Sequence, residues 1–158
     1  MSSPDGLKGI AEEAKKARKK KGPPPVHLWN PPFCGDLDMR IAFDGTWFYM
    51  GTPIGRLPLV KLFASVLRHD EDGNCYLVTP VEKCGIAVED VPFVAVEVKI
   101  SGKGRDQILE FRTNVDGMVV AGADHPLRFE EEAGTEGLRP YILGRGRLEA
   151  RVARAVFY

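Results

Sequence analysis

From residue 37 to 43 apolar and polar side chains alternate. Leu37, Met39, Ile41 and Phe43 share one face of an extended chain, and Asp38, Arg40 and Ala42 share the other. This pattern predicts a half-buried strand. Asp44-Gly45 is a strong hairpin turn, and 46–50 predicts the returning strand, closed by Gly51-Thr52-Pro53. The period changes over 57–68, where Leu59, Leu62, Phe63, Val66 and Leu67 fall on one side of a helix and Pro58 suits its first turn. Residues 69–74 break that helix. A strand follows at 75–79, ended by Pro80, with a shorter one at 86–88.

The second half is nearly all strand signal. Residues 93–100 form the strongest run, a polar turn at 101–105 leads to a strand at 108–114, and Asp116-Gly117 turns into another at 118–121. Residues 130–137 read as an exposed loop. At 148–158 helix and strand compete, and the Ala and Arg content favours helix. Asp44-Gly45, a short apolar run, Gly51 and Pro53 find a faint echo in Asp116-Gly117, a short apolar run, Gly122 and Pro126.

Residues 7–21 have helix-forming composition, with Leu7, Ile10, Ala14 and Ala17 at helical spacing. Only Leu7 and Ile10 are large. Burying both yields ~3–6 kcal/mol, against ~1–2 kcal/mol of backbone entropy for each ordered residue. The helix therefore needs docking onto the main body. Gly22-Pro23-Pro24-Pro25 ends it with a stiff extended linker. The division that results is a basic helix or tail with its linker at 1–25, an α+β domain at 26–90 and a β-rich domain at 91–158. The expected class is α+β: two small β-rich units, mostly antiparallel, with one clear central helix.

Composition narrows the function more than the fold. Seventeen glycines and twelve prolines suit many short strands and turns, and 44% hydrophobic with 28% charged residues is an ordinary globular balance. Net charge is zero but unevenly spread. Residues 1–26 hold seven Lys/Arg against three Asp/Glu, leaving the rest mildly acidic, which argues against nucleic acid as a specific partner. Cys34, Cys75 and Cys84 lack Cys-x-x-Cys spacing and read as small buried hydrophobes. The first twenty residues contain no apolar run, and no stretch is long enough to span a membrane. A cytoplasmic location is expected.

No phosphate-binding glycine loop, Gly-x-Ser-x-Gly elbow or His-Glu-x-x-His is present. No metal site or cofactor is expected from His27, His69 and His125, which are widely separated. Two polar clusters stand out. Arg112 and Asn114 alternate on one predicted strand and offer a donor fork for carboxylate or phosphate. Thr79, Glu82 and Lys83 place a hydroxyl, a carboxylate and an ammonium in one tight turn after a strand, where functional loops are common. The bland reading of each is a solvent-facing turn. Arg40 and Arg151 add further donors; Arg147, Arg151 and Arg154 would share one face of a C-terminal helix.

Several blocks resemble a bacterial family of unknown function, the DUF1285 family. They are Asp38-Met39-Arg40-Ile41, Asp44-Gly45-Thr46-Trp47-Phe48-Tyr49, Gly51-Thr52-Pro53-Ile54, Tyr76-Leu77-Val78-Thr79-Pro80-Val81-Glu82-Lys83, Val88-Glu89-Asp90-Val91-Pro92-Phe93, Phe111-Arg112-Thr113-Asn114, His125-Pro126-Leu127 and Leu148-Glu149-Ala150-Arg151. The resemblance covers nearly everything from 29 to 158. It implies a two-domain α+β protein of unusual fold, a cleft between the domains for a nucleotide-like ligand, and a place in signalling. It also implies relatives that run further than Tyr158. It carries over no catalytic residue.

The expectation is a non-enzymatic module binding a small anionic, nucleotide-like ligand through Arg40, Thr79, Glu82, Lys83, Arg112, Asn114 and Arg151. Its rivals are a hydrolase or transferase whose Asp38, Glu82 or His125 converge in three dimensions, and a protein-interaction or nucleic-acid module using 57–68 and the following hairpin like a winged helix.

Overall fold

Alternating burial carries the first strand, and that strand organises half of the chain. The computed structural model describes residues 4–18, 24–131, 138–144 and 148–153. The chain divides into two units, Met1–Asp90 and Val91–Tyr158.

The first unit begins with helix α1 (Pro4–Arg18). Its Ile10 and Ala14 are buried, and it packs against the second helix, the docking that its weak apolar stripe requires. One 3-10 turn (Val26–Leu28) leads to strand β1 (Phe33–Ile41). There Leu37, Met39 and Ile41 are buried, while Asp36 and Asp38 are exposed and Arg40 is half-buried. Phe43 lies beyond the end of the strand and is exposed. Then follow β2 (Trp47–Tyr49), β3 (Thr52–Pro53), α2 (Leu57–Ser65), β4 (Leu67–His69), β5 (Cys75–Val78) and β6 (Lys83–Val88). The sheet order is β3-β2-β1-β6-β5-β4, with β1 and β6 parallel and every other pair antiparallel. Trp47 is buried opposite Ile41.

Helix α2 stops at Ser65, short of the expected 68, because Val66 and Leu67 enter the sheet. The Val66 carbonyl accepts the Val78 amide at 2.9 Å, and Leu67 pairs with Leu77. The helix buries Val60, Leu62, Phe63 and Ala64, so it is a core element of only nine residues. That leaves a groove-reading role little exposed surface.

The second unit contains β7 (Phe93–Ser101), β8 (Ile108–Thr113), β9 (Met118–Val120), β10 (Leu127–Glu131), β11 (Leu138–Leu143) and β12 (Glu149–Val152). The order is β10-β11-β12-β7-β8-β9, with β12 and β7 parallel. Ala95, Phe111, Ile142, Ala150 and Val152 form its core, with Phe93, Val98, Leu109, Val119 and Leu127 packed on them. The expected C-terminal helix is a strand where it is described. Leu148, Ala150 and Val152 are buried at period two, and β12 is hydrogen-bonded on both sides, so pairing overrides the helical preference of Ala and Arg. The basic stripe expected on that helix has no helix to lie on, and Arg147 and Arg154 fall outside the described residues.

The two sheets share one topology. Each is a three-stranded antiparallel meander, then a second one, with the first and last strands parallel at the centre. In the first unit α2 joins the two meanders; in the second, residues 121–126 do so without a helix. The observed class is α+β, with two six-stranded sheets and two helices among the described residues.

Candidate functional site

The hairpin between β4 and β5 is closed by the Asp70 amide on the Asn74 carbonyl (3.0 Å) and the Gly73 amide on the Asp70 carbonyl (3.0 Å). Gly73 has φ +86, where a side chain would be strained. The turn aims Asp70 back at the sheet. Arg68 donates to both its oxygens, Nε at 2.5 Å and Nη2 at 3.1 Å, and Lys83 Nζ donates to Oδ2 at 3.1 Å. Asp70 is 18% exposed, and burial opposes its ionisation. The Arg68 and Lys83 hydrogen bonds and charges outweigh burial and hold the carboxyl below the usual carboxylate range. Arg68 Nη1 also donates to the Val26 and Trp29 carbonyls at 2.9 and 2.7 Å, tying the segment ahead of β1 to β4.

Lys83 is 21% exposed, and its ammonium lies 4.4 Å from the centroid of the Tyr76 ring. The Tyr76 hydroxyl donates to Asp72, whose other oxygen accepts the Asn74 amide at 2.9 Å. Phe33, the register partner of Lys83, meets Tyr76 edge-on at 6.0 Å and is 56% exposed. Asp36, Gly85, Tyr76 and Arg68 are successive partners across β1, β6, β5 and β4. The Asp36 carboxylate lies over Gly85, where a Cβ would displace it. One face of this sheet thus carries an ammonium, two aromatic rings and a carboxylate side by side.

The rest of the predicted turn has other work. Thr79 is wholly buried; its Oγ1 accepts the Val81 and Glu82 amides at 3.3 and 3.1 Å and donates to the Glu82 carbonyl at 3.3 Å. It builds the turn and does not reach out of it. Glu82 faces α1, where a Cβ on Gly9 would stand 3.6 Å from its Oε1. Burial, reinforced by Glu13, raises its pKa.

The remaining predicted residues belong to other elements. Arg40 pairs with Glu89 at 3.2 Å and stacks over Phe48 at 4.3 Å. In the second unit Arg112 is bidentate to Glu97 (3.0 and 2.9 Å) and reaches Asp116 at 2.8 Å, so its fork is already filled by carboxylates. Asn114 does not share a strand face with Arg112, because β8 ends at Thr113. Asn114 occupies the turn, and its Oδ1 accepts the Val94 amide at 3.0 Å. Arg151 is half-buried on β12 between partners Tyr141 and Val94. Asp38 is exposed on β1, and the Glu82 carboxyl faces α1. His125 stands before Pro126 in the segment that joins the two meanders, with Nδ1 2.9 Å from the Leu143 carbonyl. Among the described residues no group of His, Cys, Asp and Glu is arranged to hold a metal ion, and no helix is long and apolar enough to cross a membrane.

Sequence reasoning found Lys83 but missed Arg68, Asp70, Tyr76 and Phe33. The signal for Asp70 and Asp72 was present in the Asp-rich, Gly-containing hairpin at 70–74, read only as a helix breaker.

Residues 24–91 match the domain of unknown function DUF1285, N-terminal domain, and residues 92–158 match the protein of unknown function DUF1285, C-terminal domain. A crystal structure of a DUF1285 family protein from Silicibacter pomeroyi DSS-3 is 53% identical with a TM-score of 0.86, over 95% of this chain and 81% of that one. A second, from Shewanella baltica OS155, is 24% identical with a TM-score of 0.55, over 75% of this chain and 86% of that one, and shows a shared fold. No curated protein matches the sequence.

Proposed function

The chain belongs to the DUF1285 family, whose descriptions name no reaction, and from its own residues we propose that it is a non-enzymatic protein that binds a small anionic, nucleotide-like ligand. The observation that carries this reading is the Lys83 ammonium, held by Asp70 above the Tyr76 ring and beside the exposed Phe33. Arg68 and Lys83 share the cluster with Asp36, Asp70 and Asp72, so the group as a whole carries one net negative charge and the attraction for phosphate is local to the Lys83 ammonium. Phosphate suits Lys83, a flat ring suits Phe33 and Tyr76, and the Asp36 carboxylate accepts from a hydroxyl or amino group. A signalling context is part of the same proposal. The reading rests on Lys83 and its neighbours, with Arg40 and Arg112 engaged by their own carboxylates.

Thermal shift with adenine and guanine nucleotides, the matching nucleosides and inorganic phosphate tests it. A ligand at about one hundred times its Kd adds ~2.7 kcal/mol, an upward shift of about 5 °C or more for a chain of this size. Nucleotides are expected to raise the Tm more than nucleosides or phosphate alone, and Lys83→Met and Phe33→Ala to reduce the shift. Nucleotides that leave the Tm in place, or a shift that survives both substitutions, would overturn the reading.

A further inference from the structure

Strands β1 and β6 run parallel, and between the pairs Phe33↔Lys83 and Asp36↔Gly85 their register slips by one. In that interval β1 contributes Cys34 and Gly35, and β6 contributes only Cys84. Gly35 takes the bulge conformation, φ +101, and the space a side chain would fill there is open. Cys34 and Cys84 therefore each follow directly on a register pair, on neighbouring strands about 4.8 Å apart. That spacing lies within the roughly 4.4–6.8 Å Cα window a disulfide spans. All three thiols are free. Cys34 is exposed and Cys84 is 5% exposed, so one thiol meets solvent and the other backs it from within the sheet.

We propose that Cys34 and Cys84 are a redox pair that closes into an intramolecular disulfide by exchange with a low-molecular-weight disulfide. The Cys34 thiolate attacks one sulfur of the small disulfide, forms a mixed disulfide and releases one small thiolate. The Cys84 thiol then gives up its proton and attacks the Cys34 sulfur, expelling the second small thiolate. Two protein thiols are oxidised and one small disulfide is reduced to two thiols. The order follows from access and acidity: burial, with Glu82, Cys34 and Asp36 adding to it, pushes the Cys84 thiol up to about 11, which makes it the resolving partner. Cys75 is also buried, at about 11, but it pairs with Ile86 further along β6 and stands outside the exchange.

The reduced full-length chain is incubated with oxidised glutathione, alkylated, and analysed by intact mass and peptide mapping. The expected product carries no glutathione, has lost two hydrogens apart from any alkyl group on Cys75, contains a Cys34–Cys84 cross-linked peptide, and reverts with dithiothreitol. Cys84→Ser should stop at a single glutathione adduct on Cys34, Cys34→Ser should yield neither product, and Cys75→Ser should behave like wild type. A wild-type chain that accumulates only the Cys34 adduct, or a bridge that includes Cys75, would overturn the proposal. The wild-type mapping decides the matter even where a variant fails to fold, and it needs no ligand.

Discussion

Arg68→Met removes the guanidinium and keeps the apolar stem, and the structure lets its cost be worked out. Lost are the two bonds to Asp70 and the bonds to the Val26 and Trp29 carbonyls. Hydrogen bonds to charged groups are worth ~1.5–3 kcal/mol each when one partner is removed. Here the losses overlap, because Asp70 keeps Lys83 and the Val26 carbonyl keeps the Trp29 amide at 3.2 Å. A net cost of about 2–4 kcal/mol is expected near neutral pH. The pH dependence has a definite sign. Asp70 is held below its ordinary value, so its ionised form contributes stability that is present above the unfolded pKa of about 4 and is lost as pH falls through the folded pKa. Without Arg68 that carboxyl rises back toward its ordinary value, and the cost of the substitution shrinks in acid. Urea unfolding of wild type and variant at about pH 7 and about pH 3, at equal m-values, measures both effects. Hydrogen exchange should also quicken in residues 24–31, which lose their tie to β4. A cost under about 0.5 kcal/mol at neutral pH, or one that does not shrink in acid, refutes the reasoning.

Glu82 has a raised folded pKa from burial and Glu13, so its ionised form lowers stability above that pKa and has no effect below the unfolded value of about 4.3. Glu82→Gln should therefore raise the Tm near neutral pH, with the gain fading toward pH 4; a loss at neutral pH contradicts the placement of this carboxyl against α1. In the second unit Ile142→Ala should cost about 2–5 kcal/mol in chemical denaturation, because Ile142 is wholly buried among Ala95, Phe111 and Ala150. Ile100→Ala, at a side chain 57% exposed, should cost under about 1 kcal/mol. Equal costs at the two sites would show that the core is misplaced.

What was legible in the sequence was local. The alternation of Leu37, Met39 and Ile41, the Asp44-Gly45 turn and the apolar face around Leu62 and Phe63 each report a period within a dozen residues, and each is found in the fold. What was not legible depends on partners far along the chain. β12 carries residues of good helix propensity and is a strand because β7, more than fifty residues earlier, pairs with it. Asn114 sits one residue past a strand end, set by where Val94 lies. The Phe33–Lys83 pair joins strands fifty positions apart, and neither residue signals the other locally. Even the echo between Asp44-Gly45 and Asp116-Gly117 misleads on register. The first turn joins the first and second strands of its unit, the other the second and third of its own.

The topology that the two units share shows how their sheet centres differ. In each, a phenylalanine opens the first strand at the centre of the sheet and lies beside the start of the sixth: Phe33 by Lys83, and Phe93 by Ala150 with Arg151 next. By register Ala150, not Arg151, holds the place of Lys83, and Arg151 is one residue further along its strand. The surroundings of the two centres differ in kind. Phe93 is packed onto the core of its own sheet, and Arg151 is half-buried between Tyr141 and Val94, so that centre is closed by its own side chains. Phe33 is open to solvent, the bulge at Gly35 leaves open space beside it, and the Asp36 carboxylate covers Gly85. The same arrangement of strands is filled in one copy and left accessible in the other. On the proposed reading the ligand's ring meets Phe33 at the open centre, where Lys83 supplies the cation.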